Sequence, residues 1–266
     1  YYTSQCHPEW LQIEDAGRIA GTPPYEAGFY QNLLVNSPYL DFLKAQTKEV
    51  LETLPTDGIF FDIVKPLEDS SRWSKEEMIA RGLNPSDKAA RKAFGLDIIN
   101  EFKQDMTAFV KALTPECAIF YNGGHVGPRH RSIKNAYDHF ELESLPSGHW
   151  GYLHFPITMR YARTLGVDCV SHTGKFHTAW GDFHSYKNQA ALEFECFRML
   201  ALGSKCEIGD QLHPDGTLDK AVYDLIGNVY AQVEKKEAWC KGAKTLSDIA
   251  VFTPEAFDVL ERNMSL

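Results

Sequence analysis

An aspartate stands near the end of the apolar stretch GIFFDIV, which runs from Gly58 to Val64. A carboxylate is costly to bury unless it is paired or takes part in chemistry. Runs that are apolar on both faces suit parallel strands that are covered by helices. Asp62 therefore lies near the C-terminal end of a predicted parallel strand, and its position makes it a candidate functional carboxylate.

Other predicted strands also end in polar or aromatic side chains. We predict strands at 1–5, 58–64, 117–124, 139–145, 168–174 and 205–212. The strand ends offer carboxylates, histidines, an amide and tryptophans, without a cluster of basic residues. These side chains are Gln5, His7, Trp10, Asp62, Lys65, Asn122, His125, Glu141, Glu143, Trp150, Tyr152, His172, Lys175, Trp180, Glu207 and Asp210. Carbohydrate sites use such groups, because indoles stack on the apolar face of a sugar while polar side chains bond its hydroxyls.

Two carboxyl groups that flank one bond are the requirement for cleaving a glycoside, one ionised and one protonated. Asp62 and a glutamate of FELES are the predicted pair. Glu141 and Glu143 are two residues apart on a predicted strand, so both side chains point to the same face. Like charges this close are expected to raise the pKa of one of them. A raised pKa is what a general acid needs.

Simpler interpretations exist for each of these residues. An aspartate at a strand end can be a helix N-cap, and alternating glutamates can mark a solvated strand face. Lys65 and Lys175 could each form a Schiff base, but no neighbouring residue marks out either one. The spacing of the histidines fits no zinc signature; these are His172, His177 and His184. We therefore predict neither a metal site nor a cofactor.

Strands alternate with helical patterns at 38–54, 86–113, 156–166, 188–202 and 217–241, which indicates βαβ units and a parallel sheet. The strands could form an open doubly wound sheet or most of a (β/α)8 barrel. No strand is followed by a phosphate-binding glycine loop, and polar residues gather at C-terminal strand ends, so the barrel is favoured. We predict an α/β fold, a TIM barrel that lacks its first two strands in this chain. The barrel domain is predicted at 1–244, and 245–266 is predicted to begin a second domain.

Composition restricts the partners. A formal net charge of −9 argues against a nucleic-acid partner, because such proteins usually carry a basic face. No apolar run approaches the ~20 residues that span a bilayer, so no membrane partner is predicted. The six cysteines are scattered without a CxxC pair. We interpret them as reduced thiols, which suits a cytoplasmic protein.

Several segments together resemble the bacterial α-L-fucosidases of glycoside hydrolase family 151 and related barrel hydrolases. These segments are NSPYLDFL, DGIFFDIV, YNGG, ELESLPSGHWGY and HTGKFHTAWGDF. The resemblance extends from YYTSQCHPEWLQ to CKGA, and DIAVFTPEAF resembles the start of the trimerisation-like domain of β-galactosidases. It implies a retaining exo-glycosidase that acts on a fucosylated oligosaccharide, needs no cofactor and forms a homo-oligomer.

The resemblance also implies roles for residues. Asp62 matches the nucleophile at the end of the fourth barrel strand, with Glu143 preferred as acid/base and Glu141 second. In a retaining enzyme the two carboxyl groups lie about 5–5.5 Å apart. The candidate sugar-binding residues are His7, Trp10, Asn122, His125, Trp150, His172, Lys175 and Trp180. The alternatives are another glycosidase on the same frame, such as a β-galactosidase, a non-catalytic carbohydrate-binding barrel, and a metal-dependent hydrolase.

Overall fold

The structure, a computed structural model, describes residues 2–22, 26, 31–180 and 182–251. Within these ranges the chain has a mixed α/β architecture in which every named strand pairs in parallel. Its contacts divide the chain into two compact units, Tyr1–Tyr121 and Asn122–Leu266. We call them the first and second unit.

The first unit contains a two-stranded parallel sheet. Strand β1 (Gly58–Phe61) pairs with β2 (Ala118–Tyr121), with Gly58 opposite Ala118. The helices of this unit are α1 (Tyr2–Cys6), α2 (Tyr39–Thr53), α3 (Arg72–Ala80) and α4 (Lys88–Leu113). The rings of Phe61 and Tyr121 stack 5.2 Å apart, and Phe102 of α4 meets both edge-on. This aromatic contact joins α4 to the last residues of β1 and β2.

The second unit contains a three-stranded parallel sheet in the order β3 (His139–Glu143), β4 (Asp168–Gly174), β5 (Lys205–Gly209). Its helices are α5 (His154–Ala162), α6 (Gln189–Ala201) and α7 (Lys220–Cys240). An apolar cluster from α6 and α7 forms part of its core, with Leu192, Cys196, Val229 and Val233. The register places Glu143 opposite His172 and His172 opposite Glu207.

Five of the six predicted strands are present, β4 with its predicted bounds and the other four in shortened form, but the strand predicted at 1–5 is wrong. Tyr2–Cys6 is a short helix, and the His7 amide donates to the Thr3 carbonyl at 2.9 Å. The aromatic and β-branched residues of this segment favour a strand only weakly, because a strand also needs a partner for its backbone groups. No described strand pairs with this segment, so its hydrogen bonds close locally.

The helical patterns were largely sufficient to predict the helices. Each of the five predicted helices is present, and the Ser37 hydroxyl accepts a hydrogen bond from the Tyr39 amide at the start of α2. Helix α3 was missed, because its apolar stripe is short. Its N-cap, Ser71, is the local signal that could have indicated it. For the predicted second domain, 252–266 lie outside the described residues, and 245–251 contain no helix or strand.

Two further features bear on the sequence predictions. All six cysteines are free thiols in the structure. Among the helices in the described ranges, none has the combination of length and apolar character that crossing a bilayer requires.

A buried ion pair lies on one face of β4. The Lys187 ammonium donates to Glu195 at 2.8 Å and to the Thr173 hydroxyl at 2.7 Å, and that hydroxyl donates to Glu195 at 2.7 Å. The side chains of Lys187 and Glu195 are only 1% and 3% exposed. Burial lowers the pKa of Lys187, and Glu195 opposes that effect. The pair therefore holds α6 against β4 through charges that have little access to water.

We expect Lys187→Met to lower the free energy of unfolding by about 3–5 kcal/mol, because it leaves the Glu195 carboxylate buried without its cation. Denaturant unfolding measures the loss. The matched control is Lys205→Met, which removes an exposed ion pair with Asp168 and should cost less than about 1 kcal/mol. Equal losses in the two variants would contradict this account of the buried pair.

Candidate active site at the C-terminal ends of the strands

Glu143, the last residue of β3, is buried and has three polar neighbours in the second unit. The Asn122 amide donates to its Oε2 at 3.1 Å, and the Trp180 indole N–H donates to its Oε1. The Nε2 atom of His172 lies 3.7 Å from Oε2. A buried carboxylate needs such partners, and here they fix its orientation on both oxygens.

Two glycines make room for two indoles beside this carboxylate. A Cβ atom at Gly209 would lie 2.2 Å from Cη2 of Trp180, so that position accepts no side chain. A Cβ atom at Gly124 would lie 3.1 Å from Cη2 of Trp150, and Gly124 also has a positive φ of 72°. The Gly124 amide donates to the Asn122 side chain at 3.0 Å. Close backbone approach therefore positions both the indoles and the amide that holds Glu143.

A row of alternating acids and imidazoles continues from Glu143 along the same face of the sheet. His139 Nε2 lies 2.9 Å from Glu141 Oε1, and His172 Nδ1 lies 3.4 Å from Glu141 Oε2. His172 thus stands between Glu141 and Glu143. Glu207 of β5 lies beside this row, opposite His172 in register.

The members of this row shift one another's pKa values. Burial favours a neutral His172, but Glu141 and then Glu143 outweigh it and raise the pKa of His172 to about 9. Burial would raise the pKa of Glu141, yet His139 and His172 lower it to about 2. The pKa of Glu143 is lowered too, because His172, Trp180 and Asn122 together outweigh its burial. The expectation that the two glutamates raise the pKa of one of them is therefore wrong, since an imidazolium separates their charges.

Glu207 differs from the other two glutamates. The residue is exposed, but partial desolvation of its carboxyl group, with a smaller effect of Glu141, raises its pKa. Donor atoms of Glu141, His172 and Glu207 lie within 4.8 Å of one another, so these residues could approach a shared cation. An imidazolium has a proton on both nitrogens and cannot bind a metal. The ion-pair row and a bound cation are consequently alternatives for the same side chains.

The remaining candidates of the second unit lie nearby in distinct environments. His125 Nδ1 is 3.1 Å from the Thr158 hydroxyl, and the Trp150 ring meets His154 edge-on at 4.8 Å. The Lys175 ammonium is buried, donates to the Phe183 carbonyl at 3.2 Å and lies 3.7 Å from Asp210. That ion pair at the ends of β4 and β5 offers a reason for a buried lysine without Schiff-base chemistry. His177 and His184 are exposed beyond β4.

Asp62, in the first unit, directly follows β1 and is exposed. Its Oδ1 accepts the Ile63 amide at 2.9 Å, and Ile63 has a φ of 52°. A β-branched residue in the left-handed region is strained by about 1–2 kcal/mol, and strain of this type concentrates at functional sites. Asp62 also lines a cleft of about 840 Å³ together with Asn36 and Tyr39. These observations support a functional role for Asp62.

His7 and Trp10 belong to the first unit. Their rings stack 3.7 Å apart, nearly parallel at 5°, and His7 Nδ1 lies 3.1 Å from Glu9. Trp10 is only 8% exposed and also packs near Tyr39 and Phe42. One indole face is thus covered by His7, which argues for a packing role. The predicted separation of Asp62 and Glu143, which lie in different units, stays a prediction.

Sequence reasoning predicted side chains at these strand ends, but it omitted one member of the row and assigned no role to Glu207. His139 was omitted, although it shares the alternation of Glu141 and Glu143 along β3 and so must share their face. Glu207 was noted only as a strand-end residue. Its raised pKa depends on contacts between strands, which spacing along the chain does not reveal.

Parallel strands that present buried carboxylates, an amide and indoles at their C-terminal ends define an α/β enzyme-like site suited to a polyhydroxylated ligand. The chain is similar to one solved structure over 96% of its length, the α-L-fucosidase isoenzyme 2 from Paenibacillus thiaminolyticus, with 40% sequence identity and a TM-score of 0.90. The chain spans only 38% of that chain. The sequence resemblance to α-L-fucosidases is thereby confirmed.

Weaker structural similarities add no argument. A fucosyltransferase mutant of the α-L-fucosidase AlfC has 15% identity and a TM-score of 0.41, covering 74% of this chain and 47% of that chain. Bee venom hyaluronidase in complex with a hyaluronic acid tetramer has 14% identity and a TM-score of 0.48, covering 87% and 83%. No protein-family model and no curated protein matches the chain.

The raised pKa of His172 predicts how stability depends on pH. An unfolded histidine titrates near ~6.5, so the stabilisation is complete below about that pH and is lost as the pH rises to about 9. We expect the difference in unfolding free energy between wild type and His172→Asn to shrink by on the order of 3 kcal/mol over this window. Denaturant unfolding at several pH values measures it. A difference that stays constant from pH 6.5 to 9 would show that His172 does not stand between ionised glutamates.

Proposed function

We propose that this chain is the catalytic part of an α-L-fucosidase, a (β/α)8 barrel that removes fucose from an oligosaccharide with retention of configuration. The observation that carries the proposal is the 40% identity to an α-L-fucosidase over 96% of the chain. The arrangement around Glu143 supports it, because a carboxylate oriented by an amide and an indole suits glycoside chemistry. Self-association and a cytoplasmic location remain predictions that accompany this function.

In the proposed double displacement, Asp62 attacks the anomeric carbon and forms a glycosyl-enzyme intermediate. Glu143 first protonates the departing oxygen and then accepts a proton from the water that releases the sugar. Asp62 suits the nucleophile because it is accessible at the end of a strand. The strained Ile63 immediately after it supports this role.

The environment of Glu143 suits an acid/base that must change its charge twice. The Asn122 amide and the Trp180 indole both donate hydrogen bonds to it, so they stabilise its ionised form. That form is needed in the second half of the reaction, when Glu143 acts as a base. In the first half it must carry a proton, and the donors oppose this. Glu207, whose pKa is raised, is therefore the second candidate for the acid.

The indoles of Trp150 and Trp180 are the proposed sugar platforms. Both are partly exposed, and both lie against glycines near Glu143. The buried Trp10 is a weaker candidate for a platform. Among the alternatives, a β-galactosidase-like specificity has no separate observation in its favour.

We expect Asp62→Gly to lower hydrolysis of an aryl α-L-fucoside by at least about a thousandfold, because no covalent intermediate can form. Added azide should restore turnover and give the β-L-fucosyl azide, the product of one displacement. Asp57→Asn, at the other end of the same strand, is the matched control and should retain activity. Hydrolysis by full-length protein, analysed by NMR of the products, measures all three.

Two further results would contradict parts of the proposal. Turnover of a different glycoside in place of the α-L-fucoside would remove the sugar assignment but keep the mechanism. Absence of turnover with every glycoside, together with sugar binding that survives in Asp62→Gly, would favour the carbohydrate-binding barrel. Azide rescue of Glu207→Ala but not of Glu143→Ala, with retained configuration of the azide, would move the acid/base role to Glu207.

A further inference from the structure

Glu143 is the end of a continuous row of side chains that can hold and exchange a proton. In order, the row consists of His139, the most exposed member at 25%, then Glu141, His172 and Glu143. The successive donor and acceptor atoms are 2.9, 3.4 and 3.7 Å apart. The side chains of Glu141, His172 and Glu143 are 11%, 8% and 9% exposed. The row is thus largely shielded from bulk water.

Three carboxylates from the neighbouring strands face His172. Glu141 and Glu143 come from β3, and Glu207 from β5. Beyond the strand ends, Lys175 and Asp210 pair with each other. On the opposite face of β4, Lys187 and Glu195 form their own pair. His172 is therefore surrounded by carboxylates on its own face, and the neighbouring cations are already neutralised.

We propose that His172 is a positioning residue for the catalytic proton: held between Glu141 and Glu143, it stores the proton that Glu143 delivers to the leaving oxygen. The inference rests on the proposed function. It names the group that supplies the proton that Glu143 must carry in the first half of the reaction. The geometry is specific for this role, because Nε2 faces Glu143 while Nδ1 faces Glu141.

The steps balance without a further reactant. As the glycosidic C–O bond breaks, the O–H bond of Glu143 breaks and the proton joins the leaving oxygen. The proton on Glu143 comes from His172, whose Nε2–H bond breaks and leaves a neutral imidazole. In the second half, water gives a proton to Glu143 and its oxygen to the sugar, and the proton returns to Nε2. The 3.7 Å separation must shorten by about 1 Å for transfer, as catalytic hydrogen bonds in ligand-free structures commonly do.

Glu141 has a separate function in this arrangement. One of its oxygens lies 3.4 Å from Nδ1 of His172 and the other lies 2.9 Å from Nε2 of His139, so its charge favours the protonated ring. Loss of its charge should release the stored proton at lower pH. Glu141→Gln keeps the shape of the side chain and removes the charge, which makes it the informative variant.

The test combines kinetics with a direct reading of the imidazole. The pH dependence of kcat/KM is measured for methyl α-L-fucoside, whose poor leaving group needs an acid, and for 2-chloro-4-nitrophenyl α-L-fucoside, whose leaving group does not. In parallel, the titration of His172 is followed by NMR, with its signal identified among the ten histidines by its loss in His172→Asn. Asp168→Asn, at the exposed start of the same strand, is the matched charge control.

In wild type, the alkaline limb for the methyl fucoside should coincide with the NMR titration of His172. In Glu141→Gln both should move to lower pH by at least about one unit, which at pH 8 means roughly a twofold or greater loss of kcat/KM with the methyl fucoside. The kcat/KM for the aryl fucoside should fall far less. Asp168→Asn should shift neither the kinetic pH profile nor the NMR titration. If Glu141 had only a structural role, its replacement would lower kcat/KM for both substrates by the same factor at every pH.

Several outcomes would overturn the inference. An unshifted NMR titration in Glu141→Gln would show that the pairing is wrong. A shifted titration with an unmoved kinetic limb would show that His172 does not supply the proton. If Glu141→Gln does not fold, a wild-type alkaline limb that lies away from the His172 titration overturns the inference by itself. Absence of any α-L-fucoside hydrolysis by wild type would instead overturn the proposed function.

Discussion

The carboxylates of Glu141 and Glu143 lie on one face of β3 with the ring of His172 between them. The ionised state of both carboxylates depends on this contact. Two buried carboxylates without a cation would have to take up a proton or remain exposed to water. The imidazolium allows both to stay ionised, and its own burial becomes tolerable only because they flank it. Removal of any member leaves an unbalanced charge in a place with little solvent.

The pairing register of the strands brings these side chains into contact. Parallel register places Glu143 opposite His172, and His172 opposite Glu207. A register shift of one residue would turn each of these groups to the other face. Gly209 then gives Trp180 the space from which its indole can reach Glu143. The site is therefore a property of strand pairing, with glycines at the points where a ring must approach the backbone.

The parallel strands and their helices could be predicted because their signals are local. GIFFDIV and DCVSHTG are strand-like in composition, and the long helices repeat their apolar residues with helical periodicity. The helix at Tyr2–Cys6 could not be predicted in the same way, because whether an extended segment becomes a strand depends on a partner elsewhere in the chain. Helix α3 was missed for a different reason, because its apolar stripe is short.

The candidate site, like the fold, could be predicted only where the signal is local in the sequence. Polar and aromatic residues at the C-terminal ends of predicted strands were chosen as candidates, because parallel strands bring these ends to one edge of a sheet. These candidates include Asp62, Asn122, Glu143, His172 and Trp180. The protonation states were predicted wrongly, because spacing showed two acids on one strand and could not show the histidine that enters from the next. His139 was within reach of sequence reasoning, as it continues the alternation of β3.

Buried charged groups lie against both faces of strand β4. One face has a structural ion pair, and the other has the side chains of the proposed proton transfer. On one face, Thr173 joins Lys187 and Glu195 through bonds of 2.7–2.8 Å, and the pair is enclosed by protein. On the other face, the contacts of His172 are longer, at 3.4 and 3.7 Å, and they reach carboxylates of the neighbouring strand β3. Short, enclosed ion pairs are costly to rearrange, whereas longer contacts can shorten or exchange when a ligand arrives. The less completely satisfied face is therefore the one on which a proton can move.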